Sequence, residues 1–283
     1  MPFYSYTCIH KGYVFFMQFV CYQNGEFLSQ VDFPLTSLGF TRGYAAFELL
    51  RTYNYHPFCL EEHLERFQRT AKKLRLPYPD HAEWVVHTLI EKNNSPNLLI
   101  RLYLSEDELS QKPHFLALTG PLTVPTETQY RDGIAIITTN LERQFPEIKT
   151  TSYLPAILAL KEATDQGAED AIFVNKQGEL LELTKSNFFA VFKNKLYTAT
   201  EGVLHGITRG VVLELAKELS LPIETTPLPL SAIPYFEEAF ATSTIREVLP
   251  ISKINSTPIP LGPIAERLRL AFPQKIPSLT KII

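Results

Sequence analysis

The sequence predicts an α+β fold of two domains with mixed sheets, a small N-terminal domain and a larger C-terminal one. Strand-like and helix-like segments occur in both halves, without the strict alternation that builds a doubly wound sheet. The stretch 119–133 has two prolines, two glycines and no apolar period, which is typical of a linker. No glycine fingerprint or P-loop is found. We therefore place the domains at 1–121 and 134–283, joined by a linker over 122–133.

Apolar periodicity predicts the elements of the N-terminal domain. Alternating residues indicate strands over 44–53 and 98–105, and the segment 84–91 is typical of a helix. Another amphipathic helix is predicted by apolar residues at spacings of four and three, namely Leu60, Leu64, Phe67, Ala71 and Leu74. This domain therefore holds two helices between its two longest predicted strands.

The C-terminal domain is predicted to contain more strands. The turn residues over 176–178 predict a hairpin, and a helix is expected to begin near Thr208. A further helix is predicted over 154–167, and strands over 134–139, 171–175, 188–192 and 196–200. This order of elements indicates a mixed sheet.

Composition limits the functional classes. Of the 283 residues, 45% are hydrophobic and 20% are charged, which is ordinary for a globular protein. The net charge of −3 gives no general attraction for nucleic acid, so an anionic ligand would be held locally by single arginines or helix ends. Cys8, Cys21 and Cys59 lack the spacing of metal ligands and favour a reducing compartment. We expect no metal site, and no apolar run is long enough to span a membrane.

The first nineteen residues are expected to be an extension of the N-terminal domain. A short apolar run over 13–21 follows Lys11 and is faintly similar to a signal sequence, but it lacks a convincing small-residue cleavage site. The segment 20–26 is instead typical of a strand followed by a turn. We expect either an extra N-terminal strand or a chain that starts at Met17.

Several polar groups in the sequence are candidates for an anion site. The segment 206–209 opens a predicted helix, and exposed N–H groups at a helix start bind phosphate. Three hydroxyl groups follow a predicted strand at 242–244, and Arg66 can give a charge-assisted hydrogen bond. Lys149 stands just before a predicted helix. Each of these has a plainer explanation when taken alone: a helix start, a polar turn and two solvated charges.

Five segments together resemble the motifs of the class IV (fold type IV) aminotransferases, in the order typical of that family. They are EEHLER over 61–66, IKTTSY over 148–153, LELTKSNF over 181–188, GITR over 206–209 and TST over 242–244. The overall similarity covers about residues 20–270. It implies a small N-terminal α/β domain, a larger C-terminal barrel-like domain and a homodimer, while the cysteine usage favours the cytoplasm. It also implies pyridoxal 5′-phosphate (PLP) as the cofactor.

The resemblance also implies which residues hold the cofactor. Lys149 would bind it covalently and move a proton at the substrate Cα. Glu182 would pair with the pyridine nitrogen, because a carboxylate keeps that nitrogen protonated and lets the ring accept electrons. Tyr153 is the candidate for the 3′ oxygen. The phosphate would be held by Arg66, Ile207, Thr208, Ser243 and Thr244.

Three positions depart from the family pattern. The strand that usually contains GDGxFE or GTSxFE has RGYAAFE over 42–48 in this chain. Glu182 is followed by Leu183 where glycine is usual, and Ser152 stands where asparagine is common. Leu183 is the feature that would favour a catalytically silent PLP-binding relative over an enzyme.

Arg101 is the leading candidate for the substrate α-carboxylate. It lies on the strand face opposite a row of leucine and isoleucine side chains, and a buried arginine there needs an anionic partner. The structural alternative is a salt bridge to Glu48 on another strand. The other residues expected on the substrate side are Arg42, Phe47, Ile245 and Arg246.

The reaction that the resemblance implies is transamination between an amino acid and a 2-oxo acid. Glu48 and the segment 242–244 are similar to the transaminases of the family. The alternative is a 4-amino-4-deoxychorismate lyase, which eliminates pyruvate. The segments 42–44 and 244–246 resemble a group of D-amino acid transaminases, so D-amino acids are favoured over branched-chain L-amino acids as substrates.

Overall fold

A computed structural model describes residues 7–10, 13–16, 19–31 and 34–280 of the chain. Met17, the alternative start, lies outside these residues. The helices of the N-terminal half are α1 (Leu38–Arg42), α2 (Leu60–Lys73) and α3 (Ala82–Asn93). Its strands are β1 (Thr7–His10), β2 (Tyr13–Phe16), β3 (Cys21–Gln23), β4 (Glu26–Leu28), β5 (Ala45–Tyr53), β6 (His56–Pro57), β7 (Leu98–Glu106) and β8 (Pro113–Pro121). The two predicted helices and the two predicted long strands are therefore confirmed.

Six of these strands form one antiparallel sheet in the order β4-β3-β8-β7-β5-β6, while β1 and β2 pair only with each other. One face of the sheet is buried under α2 and α3, where Leu50 and Leu102 join a core with Phe67 and Leu89. Glu48 lies on this covered face, because side chains alternate along β5. The opposite face, which carries Phe47, is only half-buried.

The C-terminal half is built around a closed ring of strands. Its strands are β9 (Ile134–Thr139), β10 (Asp170–Val174), β11 (Glu179–Leu183), β12 (Asn187–Phe192), β13 (Lys195–Tyr197), β14 (Ile223–Glu224), β15 (Leu228–Pro229), β16 (Glu238–Ser243), β17 (Glu247–Ile254) and β18 (Thr257–Pro258). The ring follows β12-β16-β17-β9-β10-β11 and closes where Glu182 of β11 pairs with Asn187 of β12. Because the first and last strands pair, the sheet has no edge along this ring. The barrel-like domain implied by the resemblance is confirmed.

Four α-helices and one 3-10 helix accompany the barrel in the described part of the chain. They are α4 (Glu127–Asp132), α5 (Leu154–Asp165), α6 (Ile207–Glu218), the 3-10 helix Leu230–Tyr235 and α7 (Pro263–Leu279). None of the helices among the described residues is both long and apolar enough to cross a membrane. Helices α5 and α6 confirm the helices predicted over 154–167 and near Thr208.

The predicted linker over 122–133 contains a short helix, α4, that the composition did not indicate. A capping box explains it: the Thr126 hydroxyl accepts from the Gln129 N–H, and the Gln129 side chain accepts from the Thr126 N–H. Tyr130 then donates to the carbonyl of Arg246 at 3.1 Å, which ties the helix to the barrel. The domain boundaries at this segment stay a prediction.

The free edge of β5 joins the two halves of the chain. Strand β6 covers this edge only opposite Thr52 and Tyr53. Further along the same strand, Ala46 forms an isolated bridge with Thr150. The Phe47 N–H donates to the Lys149 carbonyl at 2.9 Å, and the Thr151 N–H donates to the Ala45 carbonyl at 3.1 Å. The segment 149–151 is therefore held as a short extra strand beside β5.

A second connection between the halves is an ionic one. Arg51 donates to Glu247 at 2.9 Å, and the Tyr53 hydroxyl donates to the same carboxylate oxygen at 2.7 Å. The Arg51 guanidinium also lies 3.9 Å from the centroid of the Tyr53 ring. Glu247 has a φ of 52°, an uncommon backbone conformation for a non-glycine residue, at the turn between β16 and β17. This contact fixes the turn that follows the three hydroxyl residues 242–244.

Candidate active site

A single pocket brings together all of the residues expected to hold the cofactor. It opens between the segment 149–151, the end of β11, the start of α6 and the end of β16. The expected residues that line it are Arg66, Lys149, Tyr153, Glu182, Ile207, Thr208, Ser243 and Thr244. Since these residues are up to 178 positions apart (66 to 244), the tertiary fold alone makes them neighbours.

Lys149 enters this pocket from the segment that pairs with β5. Its backbone N–H donates to the hydroxyl of Thr70 on α2 at 3.2 Å, which adds a third anchor to that segment. The ammonium group lies 5.0 Å from the centroid of the Phe47 ring. Burial lowers the pKa of Lys149 to about 8, and the positive charge of Arg66 acts in the same direction. A larger share of the amine is therefore neutral, and nucleophilic, near neutral pH than for an exposed lysine.

Arg66 is held in the pocket wall by a buried carboxylate. Its Nε and Nη2 atoms donate to the two oxygens of Glu48 at 2.9 and 2.7 Å, and Nη1 donates to the carbonyl of His205 at 3.2 Å. His63 Nδ1 lies 3.1 Å from Glu48 Oε1. Burial alone would raise the pKa of Glu48, but Arg66 and His63 outweigh it and hold that pKa well below its usual range. The guanidinium is therefore fixed beside the start of α6.

Glu182, the penultimate residue of β11, has its carboxylate inside the pocket. One oxygen, Oε1, forms an ion pair with Arg143, and the other accepts from Asn187 Nδ2 at 3.3 Å and from the Leu204 N–H at 3.2 Å. Burial raises the pKa of Glu182 to about 7, although Arg143 opposes the shift. The sequence reasoning missed Arg143, whose only signal was its place between a predicted strand and Lys149.

The start of α6 offers an anion site. In a helix the first backbone N–H groups have no intrahelical acceptor, and here they belong to Ile207, Thr208 and the next residue. Gly206 precedes them, and a Cβ there would come within 2.1 Å of Asn187 Oδ1. Only glycine therefore allows Asn187 to brace this loop while it also donates to the Leu204 carbonyl at 2.7 Å.

Two hydroxyl groups at this anion site are buried without a partner. Thr208 Oγ1 and Thr242 Oγ1 have no hydrogen-bond partner among the described residues, and each side chain is 1% exposed. A buried unsatisfied hydroxyl costs about 1–3 kcal/mol, so such groups call for a ligand. Helix N–H groups, two free hydroxyls and an arginine form a donor set that fits a phosphate group.

Leu183, the departure beside Glu182, is accommodated by the barrel. Its side chain is 1% exposed and packs in the core with Ile172 and Leu180. Its N–H donates to the Ser186 carbonyl at 2.8 Å, so the backbone turns back without glycine. The loss of glycine therefore leaves Glu182 in the pocket.

Tyr153 lines the pocket and packs against Phe47, while Phe47, Tyr103 and Arg101 are not among the described residues that line it. Phe47 stacks on Tyr103 with the ring centroids 5.1 Å apart, and the Tyr153 ring meets Phe47 edge-on at 6.4 Å. Arg101 lies two residues from Tyr103 on the same half-buried strand face. Glu48 is instead paired with Arg66 and lies on the opposite face, so the alternative of an Arg101–Glu48 salt bridge is wrong.

Arg42 and Arg246 do not line the pocket in this structure, and their role as substrate residues stays a prediction. The Arg42 side chain is 64% exposed and lies 3.6 Å from Glu108. Arg246 Nη1 lies 2.5 Å from the buried carboxylate of Asp170 and 3.0 Å from the Ser186 hydroxyl. Both guanidinium groups are therefore engaged with protein carboxylates. Ile245 is half-buried and is not among the described residues that line the pocket.

Known proteins resemble this chain over most of its length. The family profile described as amino-transferase class IV matches residues 45–254. A Methanocaldococcus jannaschii protein assigned as a branched-chain amino acid aminotransferase is 29% identical, over 89% of this chain and 94% of its own. The aminodeoxychorismate lyase of Bacillus subtilis is 27% identical over 82% and 86%. A D-alanine aminotransferase of Staphylococcus epidermidis is 27% identical over 90% and 97%.

Solved structures share the fold as well. A fold IV transaminase of Curtobacterium pusillum superimposes with a TM-score of 0.77, is 26% identical, and covers 85% of this chain and 90% of its own. A hypothetical aminotransferase of Mycobacterium tuberculosis, solved in a PLP-bound form, shares the fold with a TM-score of 0.81 and 24% identity. It covers 92% of this chain and 99% of its own. The structural similarity therefore spans both halves of the chain.

Thr208→Val tests whether the free hydroxyl serves a ligand. Without a ligand, valine removes a buried unsatisfied group, so the cofactor-free protein is expected to gain about 1 kcal/mol of stability. Affinity for PLP is expected to fall at least about tenfold, because a hydrogen bond to a charged group contributes about 1.5–3 kcal/mol. Thermal unfolding and fluorescence titration with PLP measure the two effects.

Thr198→Val is the matched control, since the buried Thr198 hydroxyl already donates to the Phe188 carbonyl at 2.8 Å. This variant should lose stability and keep its affinity for PLP. Equal behaviour of the two valine variants would show that the Thr208 hydroxyl has no ligand to serve.

The lowered pKa of Lys149 predicts a pH dependence. Only the neutral amine attacks an aldehyde, so coupling of PLP to the cofactor-free chain should accelerate as pH rises and level off above about 8. Rapid mixing followed by borohydride reduction and peptide mapping gives both the rate and the labelled residue. A rate that still rises at pH values near the ordinary lysine pKa, or a label on Lys161, would contradict the assignment.

Proposed function

The chain belongs to the class IV aminotransferases, a family of enzymes, and we propose that it is a PLP-dependent transaminase acting between an amino acid and a 2-oxo acid. The observation that carries the proposal is the content of one pocket. Lys149 with a lowered pKa, the buried carboxylate of Glu182 and two unpartnered hydroxyls beside a helix start face the same space. An amine, an acid and a phosphate site are the three groups that PLP needs.

The residues of the pocket suggest how the cofactor would be held. Arg66, the N–H groups of Ile207 and Thr208, and the hydroxyls of residues 242–244 would bind the phosphate. Tyr153 would donate to the 3′ oxygen. When bound, PLP supplies an aldehyde that takes the amino group and a ring that accepts the electrons of the Cα–H bond.

The chain's own groups then move and hold protons. Lys149 is placed to bind the cofactor and, once free, to take the proton from the substrate Cα and return it at C4′ of the cofactor. Glu182 holds a proton at the ring nitrogen, which keeps the ring an electron acceptor. Tyr153 and the Phe47 ring, whose centroid lies 5.0 Å from the Lys149 ammonium group, would limit the access of water to this proton transfer.

Transamination is favoured over the lyase reaction by the groups around Arg66. The carboxylate of Glu48 is one of the features similar to the transaminases, and here it fixes the arginine that would bind the phosphate. The B. subtilis lyase is a relative of comparable identity, so the lyase reaction is the second candidate. The two differ in the fate of the amino group, which only a transaminase leaves on the cofactor.

We propose D-amino acids and branched-chain L-amino acids as the candidate substrates. The two arginines on which the preference for D-amino acids rests are paired with Glu108 and Asp170 in this structure, so that preference stays a prediction. The Phe47 ring, 5.0 Å from the Lys149 ammonium group, offers an apolar surface near the amine, which suits apolar side chains of either hand.

We also propose a homodimer. Four large apolar side chains in and before α5 are exposed by 44–68%, namely Phe145, Leu154, Ile157 and Leu158. Residues three and four apart on a helix share one face, and a grouped exposed apolar face is typical of an interface. The cysteine usage supports a cytoplasmic location.

A donor panel tests the proposed reaction. The purified protein loaded with PLP is mixed with D-alanine, D-glutamate, L-leucine or 4-amino-4-deoxychorismate, and the bound cofactor is identified by absorbance and mass. We expect conversion to pyridoxamine 5′-phosphate with D-alanine or L-leucine, and the 2-oxo acid in equal amount. Pyruvate release from 4-amino-4-deoxychorismate, with the cofactor unchanged, would instead identify a lyase.

Arg101→Lys tests the carboxylate site. Lysine keeps the charge but loses the planar fork that binds a carboxylate with two parallel hydrogen bonds. If Arg101 holds the substrate, KM for the amino donor should rise about tenfold or more, while PLP affinity and thermal stability change little. A fall in thermal stability with an unchanged KM would show a structural arginine instead.

A further inference from the structure

We propose that Arg143 is a positioning residue that keeps Glu182 ionised, so that the ring nitrogen of the cofactor can be bound together with its proton. The inference rests on the proposed function, because it concerns the carboxylate that would face that nitrogen. Neither the motifs of the sequence nor the family resemblance pointed to Arg143. Its role follows from its place beside Glu182.

The geometry makes Arg143 the dominant partner of Glu182. Its guanidinium pairs with Glu182 Oε1, and the two side chains are 14% and 4% exposed. The other carboxylate oxygen accepts from an amide of Asn187 and the backbone of Leu204, which are neutral donors. Arg143 adds an opposite charge, which the neutral donors lack, so it favours the ionised carboxylate more than they do.

Arg143 also stands between the cofactor pocket and a second cavity. It lines both, as does Glu182, and the second cavity is lined further by apolar residues such as Leu141 and Phe173 and by polar ones such as Asn175. The pair is therefore the partition between the two spaces.

Among the charged groups near Glu182, Arg143 favours the ionised carboxylate most strongly. Lys149 approaches from the same segment and also favours the ionised carboxylate, but less strongly than Arg143. Tyr153 at the start of α5 is neutral at physiological pH, since burial raises its pKa. Arg209 on α6 is influenced by Glu182, yet its Nη2 donates to the Ala199 carbonyl and the Thr200 hydroxyl.

Removal of Arg143 therefore changes the number of protons released when the cofactor binds. Burial already raises the pKa of Glu182 to about 7 with the arginine present, so without it the acid stays protonated to higher pH. A protonated acid must lose its proton before it can accept the N–H of a protonated ring. Cofactor binding to the variant then releases one proton that the wild-type protein does not release above pH 7.

The test compares PLP dissociation constants of wild-type protein and Arg143→Met between about pH 7 and about pH 9. The ratio of the variant constant to the wild-type constant cancels effects common to both proteins. We expect a ratio well above one at pH 7 that falls by up to about tenfold per pH unit, the signature of one released proton. Arg143→Lys, which keeps the charge, should show a ratio near one throughout.

Arg143→Gln guards against a variant that fails to fold, because glutamine keeps a donor without the charge and predicts the same slope. In a Glu182→Gln background, loss of Arg143 should leave the slope at zero, since the titrating acid is gone. Arg131→Met is the matched control, because Arg131 pairs with Asp132 on the surface. Its ratio should be one at every pH.

The results of these titrations distinguish a failure of the role of Arg143 from a failure of the proposed function. A ratio that stays constant with pH in both neutral variants would overturn the role of Arg143 and leave PLP binding intact. A slope that persists in the Glu182→Gln background would place the titrating group elsewhere and also overturn it. Failure of the wild-type protein to bind PLP would overturn the proposed function, and this inference with it.

Discussion

The backbone pairing of segment 149–151 with the free edge of β5 is the contact on which the pocket depends. It exists because β6 covers only the far end of β5 and leaves the N–H and carbonyl groups near Phe47 available. An unpaired strand edge has free N–H and carbonyl groups that can pair with another segment. Here they pair with the segment that carries Lys149. The pairing fixes the lysine between the N-terminal sheet and the barrel, and the Arg51–Glu247 contact fixes the facing turn.

Two buried carboxylates near this contact have pKa values shifted in opposite directions. Glu48 receives two hydrogen bonds from Arg66 and one contact from His63, so it stays ionised and holds its arginine rigid. Glu182 has one arginine and two neutral donors, so burial outweighs its partners and raises its pKa to about 7. The first carboxylate is suited to structure. The second is suited to sharing a proton with a ligand.

The sequence predicted correctly those features that depend on residues close together in the chain. Apolar periodicity located α2 and β5 to within a residue or two, and GITR marked the start of α6. The sequence did not reveal the carboxylate partners of the arginines. Arg42 and Arg246 lie beside Glu108 and Asp170 in this structure, and no recognisable motif puts either carboxylate near its arginine. Arg143 was missed for the same reason, because its partner is 39 residues away.

By itself the sequence determined the α+β class, most helices and strands, and the eight residues that line the pocket as cofactor candidates, because these follow from local periodicity and from motifs. Only the tertiary structure decided which face of β5 is covered, how the barrel closes between Glu182 and Asn187, and which carboxylate neutralises each arginine. The physical reason is that burial and ion pairing are long-range properties. Whether an arginine binds a ligand or a carboxylate depends on distances that no local pattern encodes.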